Sequence, residues 1–136
     1  MQRKTFFTIA AVVAVLFGLV MLASPGKMME GMGSQPNDST NAVLVVVAVF
    51  LISVGIMTFL ARKDEGSIAL RAIIIGSIVM HIALIPIDWV AYAQGTFTKM
   101  SGFLPGTIVH IIFAAGFIYY LARLSSVKES DHASVS

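Results

Sequence analysis

Cysteine is absent from the sequence, which excludes disulfide bonds, iron–sulfur ligation, thiolate metal sites and cysteine nucleophiles. Charged residues are scarce as well, at 12% of the chain, whereas a soluble domain usually carries roughly a quarter. By contrast, 57% of the residues are hydrophobic. This composition is typical of a protein that lies in a membrane.

Motifs of the common catalytic classes are also missing. The sequence has no Gly-rich phosphate loop, no HExxH metal motif and no pair of carboxylates within its apolar segments. The basic residues are scattered at the ends of those segments instead of forming a patch, which argues against a nucleic-acid partner. These absences favour a non-enzymatic protein without catalytic residues.

Four long apolar segments, 5–23, 42–61, 68–93 and 103–122, make up most of the chain. Each has the roughly 20 residues that a helix needs to cross a hydrocarbon core of about 30 Å. Helices are expected because an open strand edge in lipid leaves backbone groups unpaired. The sequence therefore predicts an all-α integral-membrane protein, an antiparallel four-helix bundle in one domain, 1–124. A polar tail, 125–136, is predicted to be disordered.

Lys and Arg residues predict the orientation of this bundle. With four spans, all of them except Lys27 and Lys99 fall on the side that carries both termini. Because basic residues concentrate on the cytoplasmic side, we expect both termini in the cytoplasm, with the bundle in a bacterial inner membrane. Three of the residues on that side, Arg62, Lys63 and Arg71, are expected to contact lipid head groups.

Two histidines lie within the apolar segments at equivalent depths. His81 follows the start of the third span, and His110 precedes the end of the fourth, by nearly the same number of residues. In antiparallel neighbours this spacing places both imidazoles near the middle of the membrane. Such a pair could hold a b-type haem or another metal, or pass protons. Alternatively, each histidine bonds a carbonyl or a hydroxyl of a neighbouring helix, with Ser53, Ser77 and Thr107 as candidate partners.

Asp88 is the one acidic residue within the spans, two helical turns after His81. Pro86 lies between them and is expected to kink the helix. The carboxylate could pin the end of the helix against Lys99 or Lys27, or line a polar vestibule for a ligand or a proton. His81 and Asp88, together with His110, are therefore the candidates for a ligand-binding or polar network.

A methionine-rich segment links the first two spans. Met28 and Met32 have a spacing that would suit Cu(I), whose preferred ligands include thioethers. A turn that dips into the membrane surface would use methionine equally well. No cofactor and no metal site is predicted, and haem and copper are kept as alternatives.

The stretches "ALRAIIIGSIVMHIALIPIDWVAYAQG", 69–95, and "PGTIVHIIFAAGFIYYLAR", 105–123, resemble small four-span bacterial membrane proteins of the DoxX-like sort. The resemblance covers the C-terminal half of the chain and implies the fold, with no catalytic residue to carry across. With its short loops, the chain is expected to be an accessory or assembly subunit, or a scaffold, of a larger membrane complex. Its partners would be lipids and the transmembrane helices of that complex or of a homo-oligomer. The alternative is a small ligand-, haem- or metal-binding, or proton-coupled, membrane module.

Overall fold

A computed structural model describes the backbone of residues 2–133 and the side chains of residues 2–124. The described chain forms the helices α1 Arg3–Ala23, α2 Pro25–Gly31, α3 Asp38–Ala61, α4 Ile68–Ala93 and α5 Met100–Ala133. Four of these helices are long and apolar enough to cross a membrane, α5 over the part Met100–Leu124. The predicted all-α bundle with four spans is confirmed.

Most of the apolar surface of the four long helices faces outwards. In the most apolar window of each helix, only 17% to 33% of the residues are buried inside the chain. Large side chains such as Phe50 and Leu60 are 66% and 70% exposed. Exposure of so much contiguous apolar surface to water would be unfavourable in free energy, whereas contact with lipid tails carries no such penalty. The chain is therefore an integral membrane protein, while the cytoplasmic termini and the bacterial inner membrane stay predictions.

Helices α1, α3 and α5 begin two to four residues before the predicted apolar segments, whereas α4 begins at Ile68 as predicted. At the start of α3, the Asn37 side chain accepts a hydrogen bond from the Thr40 N–H at 2.9 Å, and the Thr40 hydroxyl accepts one from the Asn37 N–H at 3.0 Å. Helix α2 was not predicted, and it begins at Pro25, where a missing N–H costs nothing. The tail predicted to be disordered, 125–136, lies outside the residues whose side chains are described.

The bundle consists of two helix pairs, since tertiary contacts are concentrated between α1 and α3 and between α4 and α5. Glycines bring the backbones of α1 and α3 together. A Cβ atom on Gly18 would lie 2.9 Å from the carbonyl oxygen of Ala48, and one on Gly55 would lie 3.0 Å from that of Ala11. Small residues of this kind hold membrane helices together by allowing close van der Waals packing.

An aromatic cluster joins the two pairs near one end of the bundle, called the Arg3 end because α1 begins there. Phe6 and Phe7 of α1 pack against Phe117 and Tyr120 of α5, with ring centroids 5.1 Å apart for Phe6 and Phe117. The Phe6 ring lies directly on Gly116, whose missing side chain leaves the space. Tyr120, which is 6% exposed, is therefore a core residue.

The α3–α4 turn, also at the Arg3 end, is organised around Asp64. Its carboxylate accepts hydrogen bonds from the Ser67 hydroxyl at 2.6 Å and from the N–H groups of Ser67 and Gly66 at 2.9 Å. These bonds, led by that from the Ser67 hydroxyl, lower the pKa of Asp64 to about 2. Arg3 donates to the Asp64 carbonyl, and the Ser67 hydroxyl caps α4 by accepting from the Leu70 N–H at 3.1 Å. The turn thereby ties the start of α1 to the start of α4.

At the opposite end, called the α2 end, the segment after α2 docks on the loop between α4 and α5. The Met32 carbonyl accepts hydrogen bonds from the N–H groups of Thr98 and Lys99 at 3.0 and 3.1 Å. The Thr98 hydroxyl donates to the Gly33 carbonyl at 2.8 Å, and Gly102 lies against the backbone after α2. Both ends of the bundle are thus joined across the two pairs.

Candidate functional site

A cavity of about 170 Å³ lies between the two helix pairs, and all four long helices line it. Its lining residues are Ala10, Val13, Ala14 and Phe17 of α1, Leu51, Val54 and Thr58 of α3, Ser77, Met80 and His81 of α4, and Pro105, Gly106, Val109, His110, Phe113 and Phe117 of α5. The wall is mainly apolar. Its side-chain hydrogen-bonding groups come from Thr58, Ser77, His81 and His110.

The two histidines contact each other directly. The Nδ1 atoms of His81 and His110 are 2.9 Å apart, a hydrogen-bonding distance. His81 is 8% exposed, and its ring lies nearly parallel to that of Phe117 and 5.5 Å from that of Phe113. The matching depth expected from the sequence therefore brings the imidazoles together as a histidine pair, and they bond each other instead of a carbonyl or a hydroxyl.

This contact constrains the protonation of the pair. One Nδ1 must donate and the other accept, so the two neutral rings have opposite tautomers. If both rings were protonated to imidazolium, each Nδ1 would carry a hydrogen and neither could accept. The hydrogen bond therefore requires that the pair carries at most one positive charge. Either ring can be the Nδ1 donor, and exchange between the two neutral arrangements moves the Nε2 proton from one ring to the other as well as the Nδ1 proton.

Several polar groups on the cavity wall are left for a further partner. Among residues 2–124, neither Nε2 atom of His81 and His110 makes a hydrogen bond, and neither does the hydroxyl of Thr58, a residue that is only 2% exposed. The Ser77 hydroxyl is different, because it donates to the Ile73 carbonyl of its own helix at 2.8 Å. The free groups are thus on α4 and α5 on one side and on α3 on the other.

Asp88 connects α4 with α5 towards the α2 end. Its carboxylate accepts a hydrogen bond of 3.0 Å from the hydroxyl of Thr107, which precedes His110 by about one turn and is buried. Lys99, one of the partners considered for Asp88, donates to a carbonyl of α2 instead, at 3.3 Å. Helix α4 runs unbroken through Pro86. Asp88 is therefore held within the α4–α5 interface, beyond the cavity wall.

The histidine pair does not fit a haem. An iron held axially between two imidazoles separates its ligand nitrogens by roughly twice a metal–nitrogen bond of about 2.0 Å, with the porphyrin between them. The 2.9 Å contact between His81 and His110 leaves no such space. The described residues also contain no group of three or more His, Cys, Asp or Glu side chains placed to hold a metal. Copper at Met28 and Met32, at the end of α2, stays a prediction.

The basic residues near the Arg3 end make local contacts. The Arg62 guanidinium donates to the Phe59 carbonyl at 2.6 Å and lies 3.4 Å from the centroid of the Phe59 ring. Arg71 donates to the Leu124 carbonyl at 2.8 Å, which ties α4 to α5, and Lys63 is exposed. Contact of these residues with lipid head groups stays a prediction.

Sequence reasoning missed the roles of two threonines. Thr107 was considered as a partner of a histidine, although the antiparallel register that faces His81 with His110 also brings Asp88 within about one turn of Thr107. That signal was present in the spacing. No feature of the sequence indicated that Thr58 lines a cavity, because the direction of one hydroxyl on an apolar helix depends on how α1 and α3 cross.

Comparison with known proteins identifies no relative. No family model, no curated protein and no solved structure matches this chain. The resemblance to four-span proteins of the DoxX-like sort therefore stays a prediction from the sequence.

Proposed function

We propose that this integral membrane protein binds a small, uncharged and mainly apolar molecule between its two helix pairs. The observation that carries the proposal is the cavity of about 170 Å³ with unpaired hydrogen-bonding groups of the histidine pair and Thr58 in an otherwise apolar wall. Polar groups that make no hydrogen bond within the protein bond water or a ligand instead. A bound molecule would complete these groups on both helix pairs at once.

The wall also restricts the charge of the ligand. The lining residues of all four helices include no acid, no lysine and no arginine, so the histidine pair is the one titratable group in the wall. An ion would lose its hydration without gaining an opposite charge. Small ligand sites of this type usually combine an apolar wall with a few polar groups that fix the orientation. Uncharged molecules are therefore the class that the cavity accommodates.

Filling the cavity is expected to abolish binding. A Cβ atom on either Gly106 or Gly76 meets no atom within 4 Å, but only Gly106 lines the cavity. We therefore expect Gly106→Leu to remove the saturable binding of fluorinated one-ring compounds, and the matched variant Gly76→Leu to keep it. Fluorine NMR of the purified protein in lipid nanodiscs, corrected for partition into empty nanodiscs, measures this. Equal binding by both variants would place the ligand elsewhere and contradict the proposal.

The role of accessory or assembly subunit, or of scaffold, stays a prediction from the sequence. The faces that would dock another helix are exposed apolar surfaces, such as the one around Gly76 on α4, which lipid covers equally well. Native gel electrophoresis of membranes in mild detergent tests it. Migration with other subunits supports the role, and migration as a lone monomer counts against it.

A further inference from the structure

We propose that the molecule bound in this cavity is a single-ring aromatic alcohol, that is, a phenol. This inference rests on the proposed function, since it names the ligand class of the same cavity. The hydroxyl of the phenol would bond the histidine pair and Thr58, and the aromatic ring of the phenol would occupy the apolar remainder of the cavity.

The size of the cavity suits a ligand of about one ring. An engineered protein cavity of about 150 Å³ binds benzene, and the present cavity has a volume of about 170 Å³. A single ring with one small substituent is of the right size for such a space. The wall is suited to a ring as well, because Phe17, Phe113 and Phe117 contribute aromatic surfaces to it.

The histidine pair selects the polar group of the ligand. Since one Nδ1 donates to the other, the ring that donates has a free Nε2 acceptor, and the ring that accepts has an Nε2–H donor. The two Nε2 atoms of the neutral pair therefore always offer one acceptor and one donor, whichever ring donates through Nδ1. A hydroxyl, which both donates and accepts, suits either arrangement, whereas a carbonyl or an ether only accepts.

Thr58 provides the second contact from the opposite helix pair. It is 2% exposed, it lines the cavity, and its hydroxyl makes no hydrogen bond among the described residues. Serine and threonine in a helix usually donate to a carbonyl of the preceding turn, as Ser77 and Ser53 do. The Thr58 hydroxyl is thus free to accept from, or donate to, the hydroxyl of a ligand.

Two compounds of matched shape separate this inference from the proposed function. We expect 4-fluorophenol to bind saturably in nanodiscs, with a dissociation constant about tenfold lower than that of 4-fluorotoluene after correction for partition. The charged 4-fluorobenzoate is expected not to bind saturably. If neither ring compound binds, the proposed function fails together with this inference. If both bind with equal affinity, the cavity is a binding site but its assignment to phenols is overturned.

Variants then test the partners of the hydroxyl. Thr58→Val keeps the shape of the side chain, and His81→Phe removes the pair. Each is expected to reduce the preference for 4-fluorophenol over 4-fluorotoluene at least threefold. Ser53→Ala is the control on the same helix as Thr58, because the Ser53 hydroxyl is exposed and bonds the Val49 carbonyl. A preference that is unchanged in both test variants would overturn the assignment, and the Thr58→Val result stands even if His81→Phe fails to fold.

Discussion

Replacement of Gly18 and Gly55 by alanine is expected to destabilise the bundle, although alanine is the better helix former. The added Cβ of Gly18 would lie 2.7 Å from Cγ1 of Ile52 and 2.9 Å from the Ala48 carbonyl oxygen. On Gly55 it would lie 2.7 Å from Cγ2 of Val15. Because backbone atoms cannot rotate away, α1 and α3 must separate, and overpacking of this kind costs about 1–3 kcal/mol per site.

This loss is measured as the free energy of unfolding during titration of mixed micelles with SDS. Gly76→Ala is the matched control, since its Cβ meets nothing within 4 Å. There the helix propensity of alanine, up to about 1 kcal/mol better than that of glycine, leaves stability unchanged or raised. Equal stabilities of the Gly18→Ala, Gly55→Ala and Gly76→Ala variants would show that the close crossing of α1 and α3 is absent.

Replacement of one histidine is expected to lower the free energy of unfolding by more than half of the loss that replacement of both histidines causes. His81→Leu leaves the half-buried His110 without its Nδ1 partner, and His110→Leu does the same to the buried His81. An unpaired buried polar group costs about 1–3 kcal/mol, and the second substitution relieves that penalty. The double variant should therefore be more stable than the sum of the two single losses predicts, by about 0.5–2 kcal/mol.

A double-mutant cycle measures this coupling in the same SDS titration. As a control, His110→Leu is combined with Ser53→Ala, an exposed site that has no contact with the pair. That combination is expected to be additive, since the sites share no partner. Additive losses for the two histidines as well would mean that they stabilise the bundle independently of each other.

The sequence predicted the spans well because hydropathy along one helix requires no knowledge of its neighbours. The last residues of three spans, Ala23, Ala61 and Ala93, agree with the observed helix ends. It also predicted the equal depth of His81 and His110, since that follows from counting residues along antiparallel helices.

The rotation of each helix about its axis, in contrast, could not be read from the sequence. Gly18 is packed against α3 while Gly76 faces open space, although both are glycines within apolar spans. Which glycine is packed depends on how two helices cross, and the residues next to each glycine in the sequence do not determine that crossing. The cavity was missed for the same reason, because it results from imperfect packing between the two pairs and not from a motif.

The division into two pairs gives the site its position. The aromatic cluster closes the bundle towards the Arg3 end, and the docked segment after α2 closes it at the other end. Between these joints the pairs are held apart far enough to leave the cavity, and residues of both pairs line it. A ligand in this cavity would stabilise the contact between the pairs, because it binds only the assembled bundle.

Nitrogen NMR of the histidine rings tests the central feature of this account, the hydrogen bond that joins His81 of α4 to His110 of α5 at the cavity. The protein would be labelled with 15N-histidine and placed in lipid, and His132, the third histidine, replaced by glutamine to simplify the spectrum. We predict a scalar coupling between the two Nδ1 nuclei across the hydrogen bond, and opposite tautomers for the two rings. Two rings of the same tautomer without any coupling between them would contradict the account.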